Sequence, residues 1–377
     1  MPDNYNFDEI RPFKGEEVNL AIRRITSEEV FYKVLKSIFP EKNIDDYILE
    51  LNRITTTYDF QIALMHKLIR RIIEVSSDGL SSSGFENISP DSSYLFISNH
   101  RDIFLDSGIL QVLLVEHGFD TTQITFGNNL MDGQLITDVG KVNKMFTVFR
   151  EGTGREIYEN SKRLSSYMRY CVTKGKESVW IAQRNGRTKD GDDKTQTGLL
   201  KMLNVSNEGS FYEGFKELQI VPVSVSYELE PCDILKTQEL NLSQNYTYKK
   251  SAGEDVNSIV KGVVEHKGKI HFAIGKPISK SLEEIEHEPN LNKKIELLGN
   301  SIDEQIYQNY KLWPTNYVAY DLFHKKAKYD NYYTTEEKEK FLAHINMRLE
   351  NSNGDRETLK QMLFKMYANP IINFQNL

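Results

Sequence analysis

The stretch FISNHRDIFLDSG, residues 96–108, decides the fold. It contains the end of an apolar strand, YLFISN (94–99), and runs into an apolar helical stretch, 106–117, for which Asp106 or Ser107 is a suitable N-cap. His100 therefore sits in the tight turn at the end of a strand, where open α/β sheets bind ligands. The letters His-Arg-Asp also open a protein-kinase catalytic loop, which needs an Asn five residues after its Asp. Counted from Asp102, that residue is Ser107; no Asp-Phe-Gly follows and no Gly-x-Gly-x-x-Gly precedes. A phosphate-binding Gly-x4-Gly-Lys-Ser/Thr loop, a His-Glu-x-x-His and a Gly-x-Ser-x-Gly are absent as well. What remains is a histidine with carboxylates two and six residues on, Asp102 and Asp106. An Asp can hold an imidazole in one tautomer and leave it to take a proton from a hydroxyl. The bland alternative is a histidine that caps the next helix or bonds to backbone.

Outward from this turn, short β-rich runs alternate with helical stretches. The strands are expected at 94–99, 123–128, 146–150, 178–183, 218–228 and 269–278, with helices at 106–117 and 154–173. That alternation predicts an α/β fold, a mixed sheet flanked by helices. Residues 1–82 read as an N-terminal helical region. In it, SEEVFYKVLKSIFP (27–40) takes Ser27 as N-cap, and 56–77 places Phe60, Leu64, Leu68 and Ile72 on one face beside Met65, Ile69 and Ile73. The Ser- and Gly-rich segment 76–93 reads as a loop. Residues 83–281 form the α/β core, and 282–377 a charged C-terminal helical region.

Composition bounds the function. The 377 residues are 39% hydrophobic and 27% charged, ordinary for a chain with a real core, and the net charge of −7 argues against nucleic-acid binding as the main task. Cys171 and Cys232 have neither disulfide nor metal-ligand spacing and read as small buried side chains, which fits a reducing compartment. No secretory signal is read at the N-terminus, and no apolar run reaches the ~18 residues of a membrane span. Work on lipids would then be done from the membrane surface.

Basic residues recur just past strands. VWIAQ is followed by Arg184, Asn185, Gly186, Arg187 and Lys189, and FTVFR ends on Arg150. Arginine offers forked donors and glycine lets backbone N–H groups approach, so these loops are candidates for an anion cradle beside the His/Asp turn.

Taken in order, these blocks resemble the glycerolipid acyltransferase family over about residues 90–280. The His block is SNHRDIFLDS, the Arg block KMFTVFREG, the Gly-x-Arg block VWIAQRNGRTKDG and the Pro block IVPVSVSYE with Pro222, followed by HFAIGKPIS. There are two departures. The family's Asp stands five residues after its His, where this chain has Leu105, so the partner of His100 is expected to be Asp106, with Asp102 as the alternative. The family's Glu in the third block is replaced by Arg184.

The resemblance implies transfer of a fatty acyl group from acyl-CoA or acyl carrier protein to a hydroxyl of glycerol 3-phosphate or lysophosphatidate. His100 would act as general base oriented by an Asp. Arg150, Arg184, Gly186, Arg187 and Lys189 would bind the acceptor phosphate, and backbone N–H groups near a helix start would hold the oxyanion. No metal or redox cofactor is implied. The partners would be the thioester donor, the acceptor and the cytoplasmic membrane face, with no nucleic acid. The other reading is a non-catalytic member that binds phospholipid or acyl chains, suggested by the shifted Asp and the lost Glu.

Overall fold

The computed structural model describes residues 6–377 except 132, 150, 246, 247, 249–252 and 351. Seven strands form one sheet: β1 Gly79–Ser83, β2 Leu95–Ser98, β3 Gln123–Gly127, β4 Met145–Val148, β5 Val179–Ala182, β6 Ile220–Tyr227 and β7 Lys269–Ile274. Their order is β1-β7-β6-β2-β5-β3-β4, all pairs parallel except β6 with β7. The expected α/β fold with a mixed sheet flanked by helices is what forms.

Period-two patterning builds the two faces. Leu95 and Ile97 of β2, Val179 and Ile181 of β5 and Ile220 of β6 pack on one face, against helices including Gly154–Tyr170 and Leu291–Gln308. Phe96, Trp180, Val221, Val223 and Val225 pack on the other, against Lys67–Ser76 and Leu105–Glu116. Both faces of β2 are covered, which is why its sequence is an unbroken apolar run.

The segment read as a loop at 76–93 contains β1. Its three serines carry no strand signal of their own, and it is a strand because β7 offers it a parallel edge, pairing Gly79 with Lys269 through Ser83 with Ala273. Ser27 is the last residue of one helix, Glu16–Ser27, with its hydroxyl donating to the Arg24 carbonyl, rather than the cap of the next helix, Glu29–Ile38. The amphipathic stretch 56–77 is helical throughout, but Gln61–His66 is wound as a π-helix, a widening that pattern alone does not announce. It buries Phe60, Leu64, Met65, Ile69, Ile72 and Ile73, as its spacing requires. The chain from Ser279 onward is a succession of helices ending with Arg356–Gln375.

Gly84 follows β1 at φ 82°, and a Cβ there would lie 2.0 Å from the Ile274 carbonyl oxygen. Gly84→Ala is therefore expected to lower stability by about 2 kcal/mol or more, read as a shift in the urea midpoint at constant slope.

Candidate active site

β2 delivers the turn. Its last residue, Ser98, accepts from the Trp180 indole N–H on β5 at 3.0 Å. The next residue, Asn99, is fully buried and its side chain pairs both ways with the Val225 backbone of β6, accepting at 2.7 Å and donating at 2.9 Å. This amide takes the place of a missing ladder rung and fixes where the chain leaves the sheet.

His100 follows. Its Nδ1 lies 2.9 Å from Asp106 Oδ2, and its side chain retains 12% exposure, so one edge of the ring remains reachable. The same Asp106 oxygen accepts the backbone N–H groups of Arg101 at 2.6 Å and Asp102 at 2.9 Å. The Tyr227 hydroxyl donates to Asp106 Oδ1 at 3.0 Å. With Nδ1 donating to the carboxylate, Nε2 is the nitrogen left to act as a base.

The two candidate carboxylates divide the work. The helix Leu105–Glu116 is capped by neither Asp106 nor Ser107, since both lie inside its first turn. Asp102 caps it: its Oδ1 accepts from the Phe104 N–H at 2.9 Å and the Leu105 N–H at 2.8 Å. Asp106, the position one beyond the family's spacing, is the residue that meets His100. The N–H groups of residues 101, 102, 104 and 105 are all taken by these two carboxylates, so the helix start does not offer them to an oxyanion.

Asp102 keeps one oxygen bare. Its Oδ2 is buried with no hydrogen-bond partner among the described residues and lies against Gly262, where a Cβ would stand 2.1 Å from it. Burial and the neighbouring Asp106 charge push this carboxyl above the usual carboxylate range, while Arg187 acts the other way.

The basic loop after β5 closes over the turn. The Thr188 N–H donates to the His100 carbonyl at 2.8 Å, which brings Arg187 to the site. Arg187 is 7% exposed and its Nη1 is buried without a partner among the described residues. A buried, unpaired guanidinium nitrogen is costly in an empty protein and is an invitation to an anion. Gly186 sits at φ 73° and makes the sharp turn between the two arginines. Arg184 is half-buried, donating Nη1 to the Asp192 carbonyl at 3.2 Å, with its Nε unpartnered among the described residues. Lys189 is ion-paired with Glu239, and an anion would have to compete for it. Arg150 lies outside the described residues.

Arg101, inside the quoted turn, belongs to a network that sequence reasoning did not find. Its guanidinium bridges Asp193 Oδ2 at 2.5 Å and Glu230 Oε2 at 3.1 Å. Asp193 also accepts from Asn99, Tyr310 and Thr188, and Lys236 donates to Glu230 and to the Arg101 carbonyl. Two cations and two carboxylates cancel in the interior and tie the loop, the turn and the C-terminal helices together. The signal was four charged residues on three distant segments, which only tertiary contact can pair.

The far end of the loop is held by Asp303, which accepts the Thr195 N–H at 2.8 Å. Burial pushes Asp303 up to about 7. Its folded value lies above the unfolded one, so the folded state binds this proton more tightly, and its contribution to stability falls as pH rises from about 4 to about 7. Asp303→Asn should flatten that part of the stability–pH curve in denaturant titrations at pH 5 and pH 8.

An apolar groove of about 700 Å³ opens beside the turn, lined by Ile103 and Phe104 of the turn and by Phe31, Met65, Leu135 and Val139 among others. At its rim Val30, Val34, Ile136 and Val256 are exposed. Cys171 and Cys232 are buried free thiols. Among the described residues no cluster of His, Cys, Asp or Glu has the geometry to hold a metal, and no helix is long and apolar enough to cross a membrane.

No family model and no curated protein matches the sequence. Among solved structures, the chain is similar to the crystal structure of the 1-acyl-sn-glycerophosphate (LPA) acyltransferase PlsC from Thermotoga maritima. The identity is 13% with a TM-score of 0.36, over 76% of this chain and 94% of that chain.

Proposed function

We propose that this protein is an O-acyltransferase that moves a fatty acyl group from an acyl-thioester to the hydroxyl of a phosphorylated glycerol acceptor, glycerol 3-phosphate or lysophosphatidate. The observation that carries the reading is the pairing of His100 with Asp106 beside a buried arginine, Arg187, with an unmet donor. The four ordered sequence blocks support it. A histidine turned into the core would have favoured the non-catalytic reading, whereas here Nδ1 is held and the ring edge is open.

The chemistry follows from the arrangement. His100 Nε2 takes the proton from the acceptor hydroxyl while Asp106 steadies the developing imidazolium. The oxygen attacks the thioester carbonyl carbon and a tetrahedral adduct forms. The carbon–sulfur bond then breaks, the thiolate recovers the proton from His100, and the ester leaves. Arg187, with Arg184 at the loop's start, receives the acceptor phosphate as a forked donor. No step of this scheme calls for a metal or redox group.

The groove suits the acyl chain, because it is apolar and begins at the two residues that follow Asp102. Its exposed valines and isoleucine would let the protein collect a chain from a lipid surface, which supports peripheral attachment to the membrane. Val139→Trp would fill part of the groove. We expect it to raise KM for palmitoyl-CoA about tenfold and to leave KM for butyryl-CoA nearly unchanged, the ratio corresponding to roughly 1.4 kcal/mol of lost chain contact.

The deciding test is thiol release from palmitoyl-CoA, with and without glycerol 3-phosphate or lysophosphatidate, in wild type and His100→Ala. Acceptor-stimulated release, reduced at least 100-fold in the variant, is expected for a general base. Release without acceptor that still needs His100 would make the protein a thioesterase. Lipid binding with no release would establish the binding-module reading instead.

A further inference from the structure

The acyl-transfer reading uses His100 and Asp106, but the second oxygen of Asp106 is also occupied. Tyr227 closes β6, is 5% exposed, and directs its hydroxyl to Asp106 Oδ1 at 3.0 Å. Among the described residues, Oδ1 receives this donor alone, whereas Oδ2 receives His100 and two backbone N–H groups. The two oxygens share one negative charge, so a donor on Oδ1 withdraws density from the oxygen that faces the imidazole.

The ring is placed by the sheet and not by the turn. Tyr227 pairs with Ile270 across the antiparallel β6–β7 ladder, and Asn99 locks β6 to the end of β2 two residues earlier, at Val225. Its position is therefore independent of the 100–106 backbone it steadies. A phenylalanine would fill the same apolar space without burying a hydroxyl, so the oxygen is explained by its bond to Asp106 rather than by packing.

On these grounds we propose that Tyr227 is the positioning residue of the Asp106–His100 pair, its hydroxyl setting how strongly the carboxylate holds the imidazolium during proton transfer. The proposal rests on the reading of His100 as a general base. Burial, with the Asp106 charge next, pushes the phenol far above its ordinary range, so it remains a donor at every working pH. The charged groups facing this assembly are Asp102 on the turn and Glu230 beyond β6, both felt by Tyr227. Arg187 from the loop after β5 and Lys267 before β7 lie close enough to Asp102 to interact with it. None of their side chains bonds to either Asp106 oxygen; Asp102 reaches Oδ2 through its backbone N–H.

Tyr227→Phe is the test, read in two ways. With substrate, kcat at neutral pH should fall about fivefold, the worth of one hydrogen bond, with KM for donor and acceptor unchanged. The acid limb of the kcat profile should move to higher pH, because a carboxylate relieved of its second donor stabilises the imidazolium more strongly. Without substrate, proton NMR titration of the His100 ring should move in the same direction. In an Asp106→Asn background, Tyr227→Phe should produce no further movement.

A folded Tyr227→Phe variant whose His100 titration is that of wild type would overturn the proposal and leave Tyr227 a packing residue. Should that variant not fold, 3-fluorotyrosine at position 227 keeps the shape and strengthens the donor. The His100 titration should then move to lower pH, and no movement would overturn the proposal equally. The NMR measurement needs no turnover. Movement of the ring titration in a protein without acyl transfer would therefore refute the enzymatic reading while leaving the Tyr227–Asp106–His100 linkage standing.

Discussion

A single carboxylate, Asp106, has to be satisfied in a place that water does not reach. It is fully buried, and four donors converge on it from the His100 ring, two consecutive backbone N–H groups and the Tyr227 hydroxyl. A buried carboxylate lacking such partners would cost several kcal/mol, on the order estimated for desolvating an ion. The turn between β2 and the helix Leu105–Glu116 therefore has little freedom: its backbone must curl around the Asp106 side chain. Asp102 completes the curl by capping the helix that carries Asp106. The geometry that orients the His100 ring is thus also the geometry that solves a burial problem.

A second constraint holds the basic loop after β5 against this turn. Arg101 and Lys236 face Asp193 and Glu230 in a closed, charge-balanced network with Asn99, Thr188 and Tyr310 around it. Networks of this kind add little net stability relative to apolar packing, but losing one member strands a buried charge. Arg187 is carried by that loop and is not part of the balance, and its Nη1 has no partner among the described residues.

The apolar groove and the polar site meet at Ile103 and Phe104, between the cap residue Asp102 and the helix it caps. One side of the turn is therefore apolar and the other is charged. The helix Glu29–Ile38, through Val30, Phe31 and Val34, and Met65 of the π-helical Gln61–His66 segment wall the groove, which assigns them a role in shaping it beyond covering the sheet.

Much of this was legible in the chain. Short apolar runs such as YLFISN and VWIAQ mark six of the seven strands, because a strand buried on both faces must be apolar along its length. His100 and the basic loop could be placed at strand ends for the same reason. Three things were not legible. β1 has no apolar pattern, and pairing with β7 makes it a strand. The choice between Asp102 and Asp106 depends on which carboxylate the turn points at the ring, and one-residue spacing cannot decide it. Arg101, Asp193, Glu230 and Lys236 look like solvated surface charges until the fold buries them together. The sequence by itself determined the elements, their faces and the residue types brought to the carboxyl end of β2, since burial and backbone propensity act locally. Only the tertiary structure decided which charges are paired, which oxygen faces His100 and which arginine is left free, because desolvation and hydrogen-bond geometry arise only when distant segments exclude water from one another.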